Sequence, residues 1–192
     1  MIEQLINWDK ILLLFLNSFH NDFWDLVMFW ISEKLTWLPV YFFLLYQLIK
    51  IYKIRTIDVI VAVAIIIAIS DLTSVYLFKE MFHRFRPSQD PEIKDLVHIV
   101  NDYRGGLYGF VSSHAANFFA ISFFFIKILG GKIKYLTPAL ILWASIISYS
   151  RIYLGVHFPL DILCGAILGI IIGTGIGKLF LWYYDKKILL KF

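Results

Sequence analysis

Residues 57–79, IDVIVAVAIIIAISDLTSVYLFK, form a nearly continuous apolar run. As an α-helix this run extends about 34 Å, enough to cross a hydrocarbon core of about 30 Å with some tilt. Further apolar runs cover residues 36–49, 112–128, 135–153 and 161–184. The 192-residue chain is 60% hydrophobic, whereas soluble domains are roughly half apolar. The sequence therefore predicts an all-α membrane protein, a bundle of about five transmembrane helices.

Two short amphipathic segments, near residues 8–19 and 23–31, precede the first run. Each is too short and too charged at its ends to span a bilayer, so we expect interfacial helices. The alternative joins the second segment to the first span, which would place Glu33, Lys34 and Pro39 in lipid. The sequence contains no repeat or linker, and we expect residues 1–192 to form a single integral membrane domain.

The distribution of basic residues predicts the orientation of the spans. With five alternating spans, three basic groups fall on one face of the membrane, and the positive-inside rule makes that face cytoplasmic. Residues 80–111 and 154–160 then lie outside. A net charge of +4 that is carried by such loops gives no reason to expect a nucleic-acid partner. The basic groups comprise Lys50, Lys53, Arg55, Lys127, Lys132, Lys134, Lys178, Lys186, Lys187 and Lys191.

Two cations stand where the second span ends. Lys79 and Arg86 are seven residues apart, which on a helix is two turns and roughly 10 Å. Pro87 disfavours helix at Arg86, so the two side chains can approach an anion from different directions. Taken alone, the pair fits a basic cluster that snorkels to the lipid headgroups better than it fits an anion site.

The third and fifth spans begin with polar residues. Ser112, Ser113 and His114 open the third span, where free backbone N–H groups can meet an anion and a serine suits the N-cap. His157 and Asp161 flank the start of the last span at a spacing of four residues. The carboxylate can accept a hydrogen bond from one imidazole nitrogen and leave the other as a nucleophile or base.

Three stretches together resemble a known family. Residues 79–87 read KEMFHRFRP and match KxxxxxxRP, residues 112–114 read SSH and are close to PSGH, and residues 150–161 match SRxxxxxHxxxD. In this order they resemble the three-part pattern of the type 2 phosphatidic acid phosphatase superfamily, the integral membrane lipid phosphate phosphatases. The second stretch departs from the family pattern, because Val111 and Ser113 stand where proline and glycine are usual.

The resemblance implies a role for each matching residue. His157 attacks phosphorus, Asp161 holds its imidazole in the attacking tautomer, and His114 protonates the leaving oxygen and then activates water. No metal and no other cofactor is implied, since cations already face the phosphoryl oxygens. The implied phosphate-binding set comprises Lys79, Arg86, Ser112, Ser113 and Arg151.

The predicted function is removal of phosphate from a lipid at the outer face of a bacterial inner membrane, through a phosphohistidine. Undecaprenyl diphosphate is the first choice of substrate, and a lipid A 1-phosphatase or a phosphatidylglycerol phosphate phosphatase is the alternative. Two other classes stay open: a haem protein with His114 and His157 as ligands, and an anion transporter. A Ser112 nucleophile with His114 as its base ranks lower, because it leaves the His157–Asp161 pair without a role.

Two features lie outside these patterns. Asp71 falls within a span, where a carboxylate is costly, and we expect a structural partner for it. Glycines recur every four residues along the last span and permit close helix contact, either inside the monomer or in a homodimer. They are Gly165, Gly169, Gly173 and Gly177.

Overall fold

The computed structural model describes residues 1–189, with side chains up to residue 186. Lys191 and the side chain of Lys187 lie outside the described residues. The described chain is helical, as predicted: α1 Ile2–Asn17, α2 Asp22–Ser32, α3 Leu38–Tyr52, α4 Thr56–Leu72, α5 Glu80–Phe82, α6 Ser113–Leu129, α7 Leu136–Tyr153 and α8 Pro159–Leu189. Short 3-10 helices cover Lys34–Trp37, Lys53–Arg55 and Pro87–Gln89, and a π-helix over Thr73–Lys79 joins α4 to α5.

Two backbone breaks separate the first helices. Glu33 is extended, with φ −78° and ψ 130°, so α2 ends before α3 begins and the two are separate helices, as predicted. Lys53 has a positive φ of 51°, and the chain turns there between α3 and α4. Residues of both helices line one apolar cavity, so they run side by side.

Two stretches of the described chain are long and apolar enough to cross a bilayer. They are residues 34–82, which contain α3 and α4, and residues 159–186 of α8. The helix α6 is apolar but shorter. Large apolar side chains such as Phe42, Ile57, Ile171 and Leu179 are exposed on these helices, as expected of surfaces that face lipid. The count of five spans stays a prediction.

The helices α6 and α8 pack closely because glycines of α8 face the backbone of α6. A Cβ added at Gly165 would lie 2.6 Å from the Ser112 carbonyl oxygen, and Cβ atoms at Gly169 and Gly173 would overlap the carbonyl oxygens of Ala116 and Ala120. This stripe is therefore used inside the monomer. A homodimer through the last span stays a prediction.

The two ends of the bundle differ in chemistry. At one end Tyr52 donates to the carbonyl of Ile128 at 3.0 Å and accepts from Lys132 at 3.2 Å, which joins two of the predicted basic loops. The opposite end holds the start of α6, the end of α7 and the start of α8, where the candidate site residues lie.

Candidate active site

Backbone contacts between the ends of three helices build the frame of the site. The Ser112 N–H donates to the Asp161 carbonyl at 3.0 Å, which ties the start of α6 to the start of α8. The Ser112 side chain is buried and accepts from the Ala115 N–H at 3.4 Å, so it is the predicted N-cap. The Ser88 N–H donates to the Gly155 carbonyl at 3.1 Å and joins the loop after α5 to the α7–α8 connection.

His157 lies in that connection and is 1% exposed. Its Nδ1 is 3.4 Å from Asp161 Oδ2, and its Nε2 is 3.0 Å from Arg86 Nη1. An arginine can only donate, so Nε2 accepts and the ring proton sits on Nδ1, facing the carboxylate. The lone pair of Nε2 therefore points toward the cation. This Nδ1-protonated form is the tautomer that attack through Nε2 requires.

The surroundings of His157 also keep its ring neutral. Burial, and then the charges of Arg86, Arg151 and Lys79, hold the pKa of His157 well below its usual range. Desolvation and like charge both disfavour the imidazolium form. The ring therefore stays neutral at neutral and mildly acidic pH, and its Nε2 can act as a nucleophile once Arg86 Nη1 moves to an anionic ligand.

The guanidinium of Arg86 is fixed by the backbone around it. Arg86 has extended φ and ψ before Pro87, as predicted, and its Nη1 also donates to the Val156 carbonyl at 3.1 Å. Gly105, with φ 68°, lies against the guanidinium, and a Cβ there would be 3.1 Å from Nη1. The Nε of Arg86 is buried without a hydrogen-bond partner in the described part of the chain.

Arg151 presents a second guanidinium from the last turn of α7 and is 3% exposed. Its Nη1 donates to Ser32 Oγ at the end of α2, and its Nη2 donates to the Tyr103 hydroxyl at 3.0 Å. Its Nε, like that of Arg86, is buried without a partner among the described residues. Unpaired buried N–H groups on two cations favour an anion as the ligand.

Lys79 supplies a third cation. Its Nζ donates to Ser113 Oγ at 2.7 Å, and the same hydroxyl lies 2.7 Å from Ser74 Oγ on the π-helix. Ser113 was expected to help bind phosphate with its backbone, and the structure shows that its side chain contacts the Lys79 cation. Arg86 contacts His157 directly, and the charges of Arg151 and Lys79 lie near enough to act on its ring.

His114 lies in the first turn of α6, beside an apolar cavity. The cavity has a volume of about 500 Å³ and is lined by α3, α4 and α6. Leu44, Val63 and Phe118 line its length, while Lys34 and His114 provide polar groups. No hydrogen-bond partner of the His114 ring is present among residues 1–186, so its ring nitrogens are free to exchange a proton with a ligand.

Asp71 has the structural partner that its position in a span suggested. Its Oδ1 accepts from Asn117 Nδ2 on α6 at 2.7 Å. This contact joins α4 to α6, and it explains how the carboxylate is accommodated inside an apolar helix.

Several residues to which the sequence assigned no role contact Asp161 and Arg151. Arg84 contacts Asp161 at 2.8 Å and Asp9 of α1 at 2.6 Å, and Tyr103 and Ser32 contact Arg151. The signal that could have found Arg84 is its position two residues before Arg86 in the first pattern. Asp9 was detectable only as a charged residue within an apolar segment.

Several known proteins are similar to this chain in sequence. The family model of the PAP2 superfamily matches residues 55–187. A lipid A 4'-phosphatase of Bacteroides thetaiotaomicron is 41% identical over 172 residues, covering 88% of this chain and 75% of the relative. A lipid A 4'-phosphatase of Porphyromonas gingivalis is 35% identical over 187 residues, covering 94% and 76%.

Two solved structures have a similar fold. The crystal structure of Aquifex aeolicus LpxE has a TM-score of 0.62 and 27% identity, with 87% of this chain and 93% of that chain covered. A PAP2-type phosphatidylglycerolphosphate phosphatase from Bacillus subtilis has a TM-score of 0.67 and 22% identity, covering 96% and 88%. These findings confirm the predicted all-α membrane fold and a phosphatase that acts on lipids. The chain belongs to the PAP2 superfamily.

Proposed function

We propose that this enzyme removes the 4'-phosphate of lipid A through a phosphohistidine at His157. The observation that carries the chemistry is the 3.0 Å contact between His157 Nε2 and the Arg86 guanidinium, whose Nε is unpaired. This arrangement sets a nucleophile directly beside an anion-binding group. The choice of lipid A is supported by two relatives, 41% and 35% identical, that are lipid A 4'-phosphatases.

The relatives change the order of the substrates. They favour lipid A over undecaprenyl diphosphate, which the sequence analysis ranked first, and they favour the 4'-position over the 1-phosphate. Phosphatidylglycerol phosphate ranks lower, because the Bacillus subtilis structure at 22% identity supports the fold alone.

The proposed reaction has two steps. In the first, Arg86 Nη1 moves from His157 Nε2 to a phosphoryl oxygen and Nε2 attacks phosphorus. The bond from phosphorus to the lipid oxygen breaks, and His114, which is protonated when the negatively charged phosphate lies beside it, gives its proton to that oxygen. In the second, neutral His114 takes a proton from water, the hydroxide attacks phosphorus, and the phosphorus–nitrogen bond breaks to release phosphate. Asp161 holds the His157 tautomer throughout.

Three cations stabilise the transferring group. Lys79, Arg86 and Arg151 can contact nonbridging oxygens, and phosphoryl transfer depends mainly on such positioning and charge. Ser112 and Ser113 lie at the start of α6, where the helix dipole also favours an anion. Because these three cations supply the positive charge at the phosphoryl oxygens, we expect metal-independent catalysis.

The apolar cavity supports a lipid as the leaving group. It has room for part of an acyl chain, and His114 lies among its lining residues. A chain that enters between α3 and α4 would bring the ester oxygen toward His114 while the phosphate meets the cations. The leaving group would then receive its proton at the boundary between polar and apolar surroundings.

Three other readings have weaker support. The Ser112 hydroxyl is buried and caps α6, which disfavours it as a nucleophile. A haem between His114 and His157 would bring the iron cation against the Arg86 guanidinium that contacts His157 Nε2. An anion transporter would use the same cations, but it gives the His157–Asp161 pair no role. Phosphate release that is lost when His157 is replaced would distinguish an enzyme from both a haem protein and an anion transporter.

The decisive experiment measures phosphate release in detergent from four lipids. These are lipid A carrying only the 4'-phosphate, lipid A carrying only the 1-phosphate, undecaprenyl diphosphate and phosphatidylglycerol phosphate. We expect the fastest turnover on the first, and almost none with His157→Ala or His114→Ala. Wild-type rates in both variants would refute the catalytic roles, and a preference for another lipid would refute the substrate.

The proposal includes an extracytoplasmic site in the bacterial inner membrane and one domain over residues 1–192. The basic loops at the opposite end of the bundle support the orientation. In a Cys164→Ala background, Leu96→Cys in the exposed outer loop should react with an impermeant maleimide in spheroplasts, and Lys134→Cys should not. The reverse labelling would place the site in the cytoplasm.

A further inference from the structure

The N-terminal helix α1 contributes a buried carboxylate next to the candidate active site. Asp9 is 4% exposed, and its Oδ2 accepts from Arg84 Nη2 at 2.6 Å. The other terminal nitrogen of Arg84, Nη1, donates to Asp161 Oδ1 at 2.8 Å. One guanidinium therefore bridges two carboxylates, one from α1 and one from α8. Such paired, charge-assisted contacts fix geometry more firmly than a single neutral hydrogen bond.

Asp9 also holds the backbone beside Asp161. Its Oδ1 accepts from the Leu160 N–H at 3.0 Å. Leu160 lies in the first turn of α8, where backbone N–H groups lack intrahelical partners. Asp9 thus restrains the helix start that carries Asp161, and through Arg84 it restrains the carboxylate itself.

These contacts determine which oxygen of Asp161 faces His157. Oδ1 is occupied by Arg84, while Oδ2 accepts from the Phe158 N–H at 3.0 Å and lies 3.4 Å from His157 Nδ1. The Arg84 guanidinium also stacks over the Phe158 ring at 4.2 Å. Without Arg84, the carboxylate would lose one of the two donors that set its rotation.

We propose that Asp9 and Arg84 are positioning residues for phosphoryl transfer, which act on His157 only by orienting Asp161. This inference rests on the proposed role of His157 as the nucleophile. Neither residue needs to contact the lipid, so the pair should affect turnover rather than binding. Asn at position 9 would keep an oxygen that can accept from the Leu160 N–H, so Asp9→Asn removes mainly the ion pair with Arg84. The effects of Asp9→Asn and of replacing Arg84 should therefore not add.

The test uses full-length protein in detergent, with phosphate release from 4'-monophosphoryl lipid A as the readout. The variants are Asp9→Asn, Arg84→Gln and the double variant, with Arg84→Lys as a conservative replacement. Lys10→Gln is the matched control, because Lys10 is the next residue of α1 and pairs with Asp90 and Glu92, away from Asp161. Thermal unfolding midpoints report whether each variant is folded.

We expect kcat to fall about 10- to 100-fold in both single variants, the range for losing a partner that orients a functional side chain. The loss should be smaller than the roughly 10⁴-fold expected when the histidine's own carboxylate partner is replaced. KM should stay within about 2-fold. Arg84→Lys should keep intermediate activity, because an ammonium retains the charge but lacks the two-pronged geometry. The double variant should match Arg84→Gln.

The other possible results contradict either the inference about Asp9 and Arg84 or the proposed function. Wild-type kcat in folded Asp9→Asn and Arg84→Gln, with an inactive His157→Ala, overturns the inference and leaves the proposed function intact. Additive losses, or an equal loss in Lys10→Gln, show general docking of α1 and also overturn it. Full activity of His157→Ala overturns the proposed function instead. If Arg84→Gln fails to fold, Arg84→Lys and Asp9→Asn decide by the same criteria.

Discussion

Arg86 and His157 are in direct contact, with Nη1 of the arginine 3.0 Å from Nε2 of the histidine. The cation that would bind phosphate and the nitrogen that would attack it are therefore held as one unit. A phosphoryl oxygen bound to the unpaired Arg86 Nε would place phosphorus close to Nε2. The first and third sequence patterns thus meet in a single side-chain contact.

Replacing Arg86 tests this unit. We expect Arg86→Lys to lower kcat/KM about 100-fold or more, the scale of losing one preorganised donor to a developing oxyanion. Lysine retains the charge but cannot contact both His157 and phosphate with a rigid planar group. Steady-state phosphate release measures the effect. Arg55→Lys is the control, because Arg55 pairs with Asp58 on the basic end, and equal losses in the two variants would contradict the prediction.

The pKa of His157 predicts a pH dependence of stability. Burial and then nearby cations hold this pKa well below its usual value in the folded protein. The unfolded chain instead takes up a proton as pH falls below about 6.5, so stability decreases there, by at most about 1.4 kcal/mol per pH unit from this group. His157→Gln should therefore flatten the fall of the unfolding midpoint between about pH 6.5 and pH 5.

The control for this pH effect is His83→Gln, at an exposed histidine. It should retain the wild-type slope of unfolding midpoint against pH. If His157→Gln and the wild type have the same slope, His157 is not the buried neutral group that the structure describes.

The contact between α6 and α8 predicts unequal effects of alanine along one helix. Gly169→Ala should destabilise the protein by about 1–3 kcal/mol, because the added methyl group overlaps the Ala116 carbonyl. Gly175→Ala should be neutral or slightly stabilising, since among the described residues no atom outside its own stretch of helix lies within 4 Å of its Cβ position, and alanine favours helix. Unfolding in detergent with increasing denaturant measures both. Equal destabilisation would argue against the packing of these helices.

Chelation and a phosphate analogue test the metal-free reaction. We expect EDTA to leave phosphate release unchanged, because Lys79, Arg86 and Arg151 supply the positive charge. Orthovanadate should inhibit competitively, since it can adopt five-coordinate geometry beside the His157 imidazole. Arg86→Lys should weaken this inhibition. Loss of activity in EDTA that added Mg²⁺ or Zn²⁺ restores would contradict the prediction.

Contacts between residues close in sequence were predictable from spacing. His157 and Asp161 are one helical turn apart and do meet, Pro87 keeps Arg86 extended, and Ser112 caps α6. Each of these depends on local geometry alone, which the residue types and their spacing largely determine. For the same reason, the apolar runs gave the approximate positions of the long helices.

Contacts between distant segments were not predictable in this way. Asp9 meets Arg84 across 75 residues, and Asp71 meets Asn117 across 46. Such pairs depend on how helices are rotated and spaced in the bundle, and no periodicity along the chain encodes that. A carboxylate within an apolar span indicated that Asp71 has a partner, but the sequence could not identify Asn117 as that partner.

The two N-terminal helices lie outside the region that matches the family, yet they contact residues of the sequence patterns. The region that matches the family begins at residue 55, and it contains every residue of the three patterns. Yet Arg84 contacts Asp9, and Arg151 contacts Ser32, and both partners lie before that boundary. A fragment cut at residue 55 would keep the whole motif and lose the side chains that support it. Grafting this chemistry onto another scaffold would therefore require the two leading helices as well.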